Sequence, residues 1–573
     1  MKREWEIRPA DPQAVSRLSR ELSLPEMLAR LLVARGLSDL EQARAFLLPR
    51  LADLADPSAM KGMDAAVERL LQAGRQGERI TIWGDYDVDG VTSVSLLLLF
   101  LRRLGFTVDY YIPSRLEEGY GLNSDAVQQV IRQGTQLLVT VDCGISDYRQ
   151  VEEARQAGVQ VLIIDHHQVP EEIPQAVAVL DPHRLDCPFP QKEAAAVGVT
   201  FYLLMALRAR LRRLGRFEEE VQPNLRELLD LVALGTVADV VPLTGDNRIL
   251  AHFGLQELTA GRRPGIAALK EVAGLFDSTV TAGQVAFRLA PRINAVGRLG
   301  RAGLAVELLT TDSYARALQL ARELDQANSE RQAIEQRIFL QALERAERAH
   351  QRGDPALVLW SDDWHIGVVG IVASRLVERF GCPALLVALD GEMGKGSARS
   401  VEGVHLFRAL EECKQLLEAY GGHRAAAGLS IRRENLEDFR REFTRQVLHQ
   451  LDEQRQRPQY WLDGEVAPGQ WTPEMIQALG RLQPFGLGNP EPVFLARGLE
   501  VASARLVGRD GPNHLKLAVR DGQRSFDAIG FTMSDRLQEA RGRIDLAYTP
   551  QLNSWDGGLS IQLRIRDLRP HRD

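Results

Sequence analysis

Ile80-Thr-Ile-Trp-Gly-Asp-Tyr-Asp-Val-Asp-Gly90 decides the fold of this chain. A short run of strand-forming residues ends at Gly84, aspartates occupy alternate positions from Asp85 to Asp89, and Gly90 opens an apolar run to Leu104 that reads as a helix. Strand, tight turn and helix together begin a βαβ unit. The strand signal returns in Leu137–Val141, Val161–Ile164 and Ala176–Leu180, with helical stretches between, from Arg79 to about Asp239. That alternation implies right-handed crossovers and a mainly parallel sheet. Ligands of such sheets collect at the carboxyl ends of the strands, where Asp85, Asp142, Asp165 and Asp181 stand. Ala238-Asp239 closes a further apolar segment and reads as part of the same rim.

Carboxylates crowded on one rim repel unless positive charge lies between them, and divalent cations are the simplest answer. Asp87 and Asp89, two apart on the turn, can serve one ion each, and Asp142 on the neighbouring strand can bridge both. His166 offers an imidazole nitrogen and Asp239 a further oxygen. Mixed carboxylate and imidazole ligands favour Mn²⁺ or Mg²⁺, the imidazole tipping the choice toward Mn²⁺. Two ions about 3.5–4 Å apart clamp the attacking and leaving oxygens of a phosphate ester. A metal-dependent enzyme is expected.

The whole chain has 573 residues, 45% hydrophobic and 26% charged, which is ordinary for a soluble protein of several domains. No apolar stretch approaches the roughly 20 residues of a membrane span. Met-Lys-Arg-Glu-Trp at the start lacks an apolar h-region, so no secretory signal is expected. Cys143, Cys187, Cys382 and Cys413 show no paired spacing, which argues against a disulfide framework or zinc knuckle and for the cytoplasm. The pattern divides the chain into an N-terminal helical segment (1–75), an α/β catalytic domain (76–312), a long connector helix (313–353), a second α/β domain (354–455) and a C-terminal OB-like β-barrel (456–573). The connector reads as a solvated helix. The barrel rests on closely spaced short strands after Pro468. With a net charge of −7, any surface for nucleic acid must be local. Arg288 to Arg301 is the best cationic segment, with Arg292 and Arg298 as candidate DNA contacts. Trp461, Trp471, Phe485, Phe494, Tyr548 and Trp555 are candidates for stacking on bases, although barrel aromatics are more often core.

Gly84–Gly90, Val141–Gly144, Asp165–His167 and Gly235–Asp239 resemble the four motifs of the DHH phosphoesterase superfamily. Gly396–Ser400 and Gly421–Gly428 are similar to the signature of its companion DHHA1 domain. With Tyr111–Arg115, Glu118–Gly121, Pro291–Arg298 and Trp364–Leu376, the resemblance extends over essentially the whole chain, to the bacterial single-strand-specific exonucleases of that superfamily. It implies a two-metal-ion, 5′→3′ exonuclease that degrades single-stranded DNA to 5′-mononucleotides in DNA repair and recombination. It implies metal ligation by Asp87, Asp89, Asp142, His166 and Asp239, with His167 beside the scissile phosphate. Asp85 either ligates directly or holds ligand geometry. Arg115, Ser397 and Arg399 resemble a pocket for a terminal 5′ phosphate, which guanidinium groups grip bidentately. His423, among glycines, would steady the scissile group or its transition-state charge. A single-strand-binding protein and a DNA helicase are the partners expected by resemblance, no membrane is expected, and the chain is expected to act as a monomer.

Overall fold

The computed structural model describes residues 4–115, 118–217, 222–453, 459–508, 513–555 and 558–572, and for 452, 453, 554, 555 and 559 the backbone alone. Five parallel strands form the first sheet: β1 (Ile80–Gly84), β2 (Val108–Tyr111), β3 (Leu137–Val141), β4 (Gln160–Ile164) and β5 (Ala178–Leu180), in the order β2-β1-β3-β4-β5. Every residue of β1 and β3 is buried, as expected of central strands covered on both faces. The order reverses between β1 and β3, so the crevice outside their carboxyl ends is the topological switch point where such sheets bind ligands.

Helix α1 (Val88–Arg103) leaves that crevice and runs through the core, packed by α2 (Ala196–Arg213) and α3 (Leu229–Ala238). It starts at Val88, ahead of the apolar run after Gly90 that reads as a helix, because Asp87 caps it, accepting from the amides of Asp89 (2.9 Å) and Gly90 (3.2 Å). Two of its buried hydroxyls are satisfied within the helix: Thr92 Oγ1 donates to the Val88 carbonyl and Ser95 Oγ to that of Val91. Gly90 is required by close approach, since a Cβ there would lie 2.5 Å from the Asp85 carbonyl oxygen.

The connector α4 (Tyr314–Gln351) is one continuous helix of 38 residues, as expected, but it is not merely solvated. Ala317, Leu320, Ala321 and Leu324 are buried in its first half, where it contacts the segment Ala290–Arg298; Ile338, Ala342 and Ala346 join the core of the second sheet. Its alanines and leucines at three- and four-residue spacing therefore make it a packed strut. That second sheet contains β6 (Leu357–Ser361), β7 (Ala384–Asp390), β8 (Met393–Arg399), β9 (Leu417–Gly422) and β10 (Ala426–Arg432), in the order β9-β10-β8-β7-β6. Only β6 and β7 pair in parallel, joined through α5 (Ile366–Phe380). Helix α6 (Leu436–Glu453) covers the other face with Phe439, Phe443 and Val447.

At the C-terminus, β11 (Phe494–Val507), β12 (His514–Asp521), β13 (Arg524–Gly530), β14 (Arg543–Trp555) and β15 (Gly558–Pro570) run β11-β12-β13-β15-β14, and β14 pairs back onto β11. The barrel is closed with five strands, the OB-fold count. Three of the candidate stacking aromatics are its core. Trp471, Phe494 and Tyr548 are buried, Trp471 Nε1 donates to the Tyr548 hydroxyl (2.6 Å), and that hydroxyl donates to the Val466 carbonyl (2.7 Å). Trp461 remains partly exposed, with Arg8 5.7 Å from its ring. The Trp555 side chain lies outside the described residues. Replacing Tyr548 by Phe strands the indole N–H and the Val466 carbonyl without water. We expect a loss of about 1–3 kcal/mol, read as a lower denaturation midpoint with an unchanged m-value.

Contacts divide the chain into two units, Asp56–Asp239 with Phe253–Pro458, and Lys2–Ala55 with Val240–His252 and Gln459–Asp573. The N-terminal segment is therefore shared between units, and it opens with a strand, Glu4–Ile7, paired in parallel with Gln459–Leu462. Hydrophobic burial explains the assignment: Leu28, Leu31 and Leu32 enter the same core as Leu515 and Leu546. The Arg248 guanidinium donates to the carbonyls of Phe46 (3.0 Å) and Leu482 (2.9 Å), which ties 240–252 to that core.

Candidate metal centre and phosphate pocket

Asp85, Asp142, Asp165 and Asp181 follow β1, β3, β4 and β5 directly, on one rim of the first sheet. Asp239 reaches that rim from elsewhere: it is the C-cap of helix α3, not a strand end. An apolar run alone does not distinguish a buried helix from a buried strand.

Three clusters of possible ligand atoms form, each with its atoms within 4.8 Å of one another: Asp85, Asp87 and Asp142; Asp89, His166 and Asp239; Asp142, His166 and His167. Asp142 and His166 each belong to two clusters, the position a shared ligand requires. Asp142 is held in the left-handed region at φ 61°, strain of the kind that clusters at functional sites. Asp89 sits on the N-terminus of α2, accepting from the amides of Ala196 (2.7 Å) and Val197 (2.9 Å), which fixes both its oxygens.

The electrostatics of the nest call for cations. Burial, then the charges of Asp89, Asp87, Asp85 and Asp239, push the Asp142 carboxyl well above the usual range. Burial and Asp87 do the same to Asp85. Burial and neighbouring acids raise Asp89 to about 7 and Asp239 to about 9. His166 does not supply the missing charge. Its Nε2 is 3.2 Å from Asp142 Oδ1 and its Nδ1 3.7 Å from Asp239 Oδ2, but burial and His167 depress it to about 4, so the ring is neutral. A neutral imidazole is the form that binds a metal. Asp85 Oδ1 and His166 Nε2 are buried without a hydrogen-bond partner. Orphaned oxygen and nitrogen donors among mutually repelling acids fit hard or borderline divalent cations such as Mg²⁺ and Mn²⁺.

His167 is organised differently. Its Nδ1 lies 2.7 Å from Asp165 Oδ1, which also accepts the His166 amide (2.7 Å), while Asp165 Oδ2 accepts the Ile145 amide (3.0 Å). Burial opposes its charge, but the Asp165 hydrogen bond and the nearby acids prevail and raise it to about 9. Asp165 thus orients a histidine and stands in none of the three ligand clusters. Tyr120, which sequence reasoning quoted in a motif without a role, donates to the Asp142 carbonyl (3.0 Å) and lies 3.3 Å from His167 Nδ1. Only the Glu118–Gly121 motif hinted at it.

A cationic cluster adjoins this nest. Arg115 stands 5.2 Å from the ring of Tyr86, the residue between Asp85 and Asp87. Arg298 donates to the Gly367 carbonyl (2.7 Å) at the start of α5, and Arg399 Nη1 donates to Ser397 Oγ (2.9 Å). Burial, then Arg115, Arg331 and Arg399, depress Arg298 to about 10, and burial with Arg115 lowers Arg399. Among the described residues, Arg115, Arg298 and Arg399 have no carboxylate partner. Guanidinium groups that crowd one another without an anion form a site for one, and phosphate has the matching geometry. Arg298 thereby joins the expected trio of Arg115, Ser397 and Arg399. Arg292 goes elsewhere: its Nε pairs with Asp325 of α4 at 2.8 Å, so its guanidinium braces the strut. His423 is exposed in the hairpin between β9 and β10, just before Ala426, which pairs with Arg399 in register. That places it along the strand edge from the pocket.

Family models match the chain in three places: the DHH family N-terminal domain at residues 79–236, the DHHA1 domain at 353–449 and the RecJ OB domain at 462–567. The chain is 40% identical to the single-stranded-DNA-specific exonuclease RecJ of Escherichia coli (strain K12), covering all of both chains. It is 39% identical to the enzyme of that name from Bacillus subtilis (strain 168), over 99% of this chain and 71% of that one. Among solved structures, RecJ of Thermus thermophilus in complex with Mn²⁺ superposes with a TM-score of 0.85 at 32% identity, over 100% of this chain and 80% of that chain. The Mg²⁺ complex of that protein gives 0.79 at 31%, over 100% and 79%.

Proposed function

Because the chain belongs to the RecJ single-stranded-DNA-specific exonucleases of the DHH phosphoesterase family, we propose that its acidic nest and its arginine pocket together measure one nucleotide from a 5′ end. The activity is that of a metal-dependent exonuclease on single-stranded DNA, using Mn²⁺ or Mg²⁺. The observation that carries the finer reading is Tyr86. Acids of the nest flank it on both sides, and its ring carries Arg115 of the anion pocket.

In this reading Asp87, Asp89, Asp142, His166 and Asp239 hold two cations, with Asp85 as a further ligand through its orphaned Oδ1. Bound there, the cations would neutralise the acids, polarise the phosphodiester and make water acidic enough to attack near neutral pH. The chain's own groups do the rest. Arg115, Arg298, Arg399 and Ser397 Oγ hold a terminal 5′ phosphate, which fixes the direction as 5′→3′ and the product as a 5′-mononucleotide. Asp165 holds the Nδ1 proton of His167, leaving Nε2–H to face a non-bridging oxygen of the scissile phosphate. His423 approaches the same group from the β9–β10 hairpin. Arg292 contributes to DNA binding through the stability of the segment that carries Arg298. Among the described residues no helix is long and apolar enough to cross a membrane. A cytoplasmic monomer working with a single-strand-binding protein and a helicase in DNA repair and recombination completes the proposal.

The test is digestion of end-labelled single strands and duplexes, bearing 5′-phosphate or 5′-hydroxyl termini, in Mn²⁺ and in Mg²⁺. Mononucleotides released first from the 5′ end of single strands are expected. Initial release from the 3′ end would overturn the assigned direction, and release of longer fragments the assigned product, while leaving the family intact.

A further inference from the structure

Strand β6 is the free edge of the second sheet, since among the described residues it pairs with β7 alone. The Leu357 amide donates to the Pro383 carbonyl on the β7 side (2.8 Å). Backbone groups alternate between neighbours along a strand, so Val358 and Trp360 turn theirs to the open side. That edge lies at the bottom of a cavity of about 520 Å³, a size typical of ligand and peptide sites. One wall is the end of α4, with Arg345, Arg348 and Arg352; the other is α6, with Arg440 and Arg441.

Five guanidinium groups line this groove against one carboxylate, Asp354. The acids paired with Arg348, Arg440 and Arg441 are Glu344, Glu437 and Asp438, neighbours on the same helices that do not line the cavity. These are exposed pairs, which contribute little and exchange partners readily. Arg345 donates to the Trp360 carbonyl, so one outward acceptor of the edge is covered by a movable side chain.

We propose that this groove docks an extended, acidic peptide segment of a partner protein, which adds as a strand to β6 and places its carboxylates against the arginine walls. An exposed strand edge offers donors and acceptors at the spacing of another peptide backbone, and pairing of this kind is a recurrent mode of peptide recognition. A nucleic acid strand would use the arginines and leave the edge unpaired, so the edge favours peptide. None of these residues belongs to the metal nest or the phosphate pocket, and the inference stands independently of their assigned roles.

The probe is a fluorescein-labelled octapeptide of alternating Asp and Val, titrated into the full chain and followed by anisotropy. Its counterpart of alternating Lys and Val and an oligo(dT) 12-mer serve as controls. Specific binding of the acidic peptide is expected, weakened at least tenfold in the R348E/R441E double variant, whose exonuclease rate should match the parent. Hydrogen exchange at the Val358 and Trp360 amides should slow on saturation. The proposal fails if the acidic peptide binds no better than the basic one or keeps its affinity in the double variant. It fails equally if those amides exchange unchanged, or if the oligonucleotide displaces the peptide in the parent and loses affinity with it in the double variant.

Discussion

Replacing Asp142 by Asn should lower strand cleavage by about a thousandfold or more, the scale of losing a group that acts as part of a catalytic unit, while leaving single-strand affinity within a few-fold of the parent. The residue belongs to two of the ligand clusters, so its loss disables both cation positions at once. A second, opposite effect distinguishes this from simple misfolding. In the cation-free chain Asp142 faces Asp85, Asp87, Asp89 and Asp239 under burial, and their repulsion raises the carboxyl groups of the nest. An acid whose folded value is raised binds more protons when folded than when unfolded. Stability therefore falls as pH rises from about 4, the unfolded value, through about 7 for Asp89 and about 9 for Asp239. Removing one of the charges should flatten that fall, so metal-free D142N is expected to be more stable than the parent at pH 8. Saturating Mn²⁺ should reverse the ranking, since ligand at a hundred times Kd stabilises a site by about 2.7 kcal/mol and the variant binds poorly. Thermal unfolding at pH 5 and pH 8, with and without Mn²⁺, reads all four states. Ordinary turnover in D142N, or a metal-free variant less stable than the parent, would remove Asp142 from the centre of the site.

The rim of acids was legible because its carriers are regular. Strands β1, β3 and, after Gln160, β4 are buried runs rich in β-branched residues and followed by Asp, and for β1 the glycines at 84 and 90 mark the turn. The sequence does not say which residues face one another across 100 positions. Asp89 rests on the amides of Ala196 and Val197, and no pattern near Ala196 announces a helix start, since its N-cap is Ala195 and makes no side-chain bond. Asp239 stands at the rim on a helix and not at a strand end, and the sequence hides this because α3, apolar but for Asp230 and Thr236, is buried from Leu229 to Val237 and shows no helical stripe. Tyr120 and Asp165 act through a histidine, and contacts of that kind leave no periodicity to detect. The arginines divide on the same principle. Arg292 and Arg298 are equally cationic as letters, yet Asp325, 33 positions later, takes the first, whereas the second bonds a backbone carbonyl and faces other arginines without a carboxylate partner among the described residues. The barrel aromatics repeat the lesson: Trp471 and Tyr548 look like a stacking platform until their hydrogen bond and burial assign them to the core.

Replacing Arg399 by Ala should cut the preference for 5′-phosphorylated over 5′-hydroxyl ends by about 10- to 100-fold, equivalent to one charge-assisted hydrogen bond of about 1.5–3 kcal/mol. The effect belongs to the end and not to the reaction. Arg399 is on β8 of the second sheet, whereas every assigned cation ligand is in the first unit's parallel-sheet region, so Mn²⁺ affinity should be unchanged. Cleavage of a 5′-hydroxyl strand should likewise fall little. The geometry also predicts what Lys would do in its place. Lys keeps the charge but gives up the planar fork that presents two parallel N–H donors to a phosphate. R399K should recover part of the lost affinity for phosphorylated ends and little of the discrimination. A neighbouring effect follows from repulsion: with Arg399 gone, Arg115 and Arg298 lose a like charge, so each tolerates the empty pocket better and the R399A chain should be as stable as the parent or more so. End-preference ratios from competition between the two termini, with Mn²⁺ titration and thermal unfolding alongside, measure these effects separately. If R399A discriminates between the termini as the parent does, the arginines serve the fold and the end of the strand is read elsewhere.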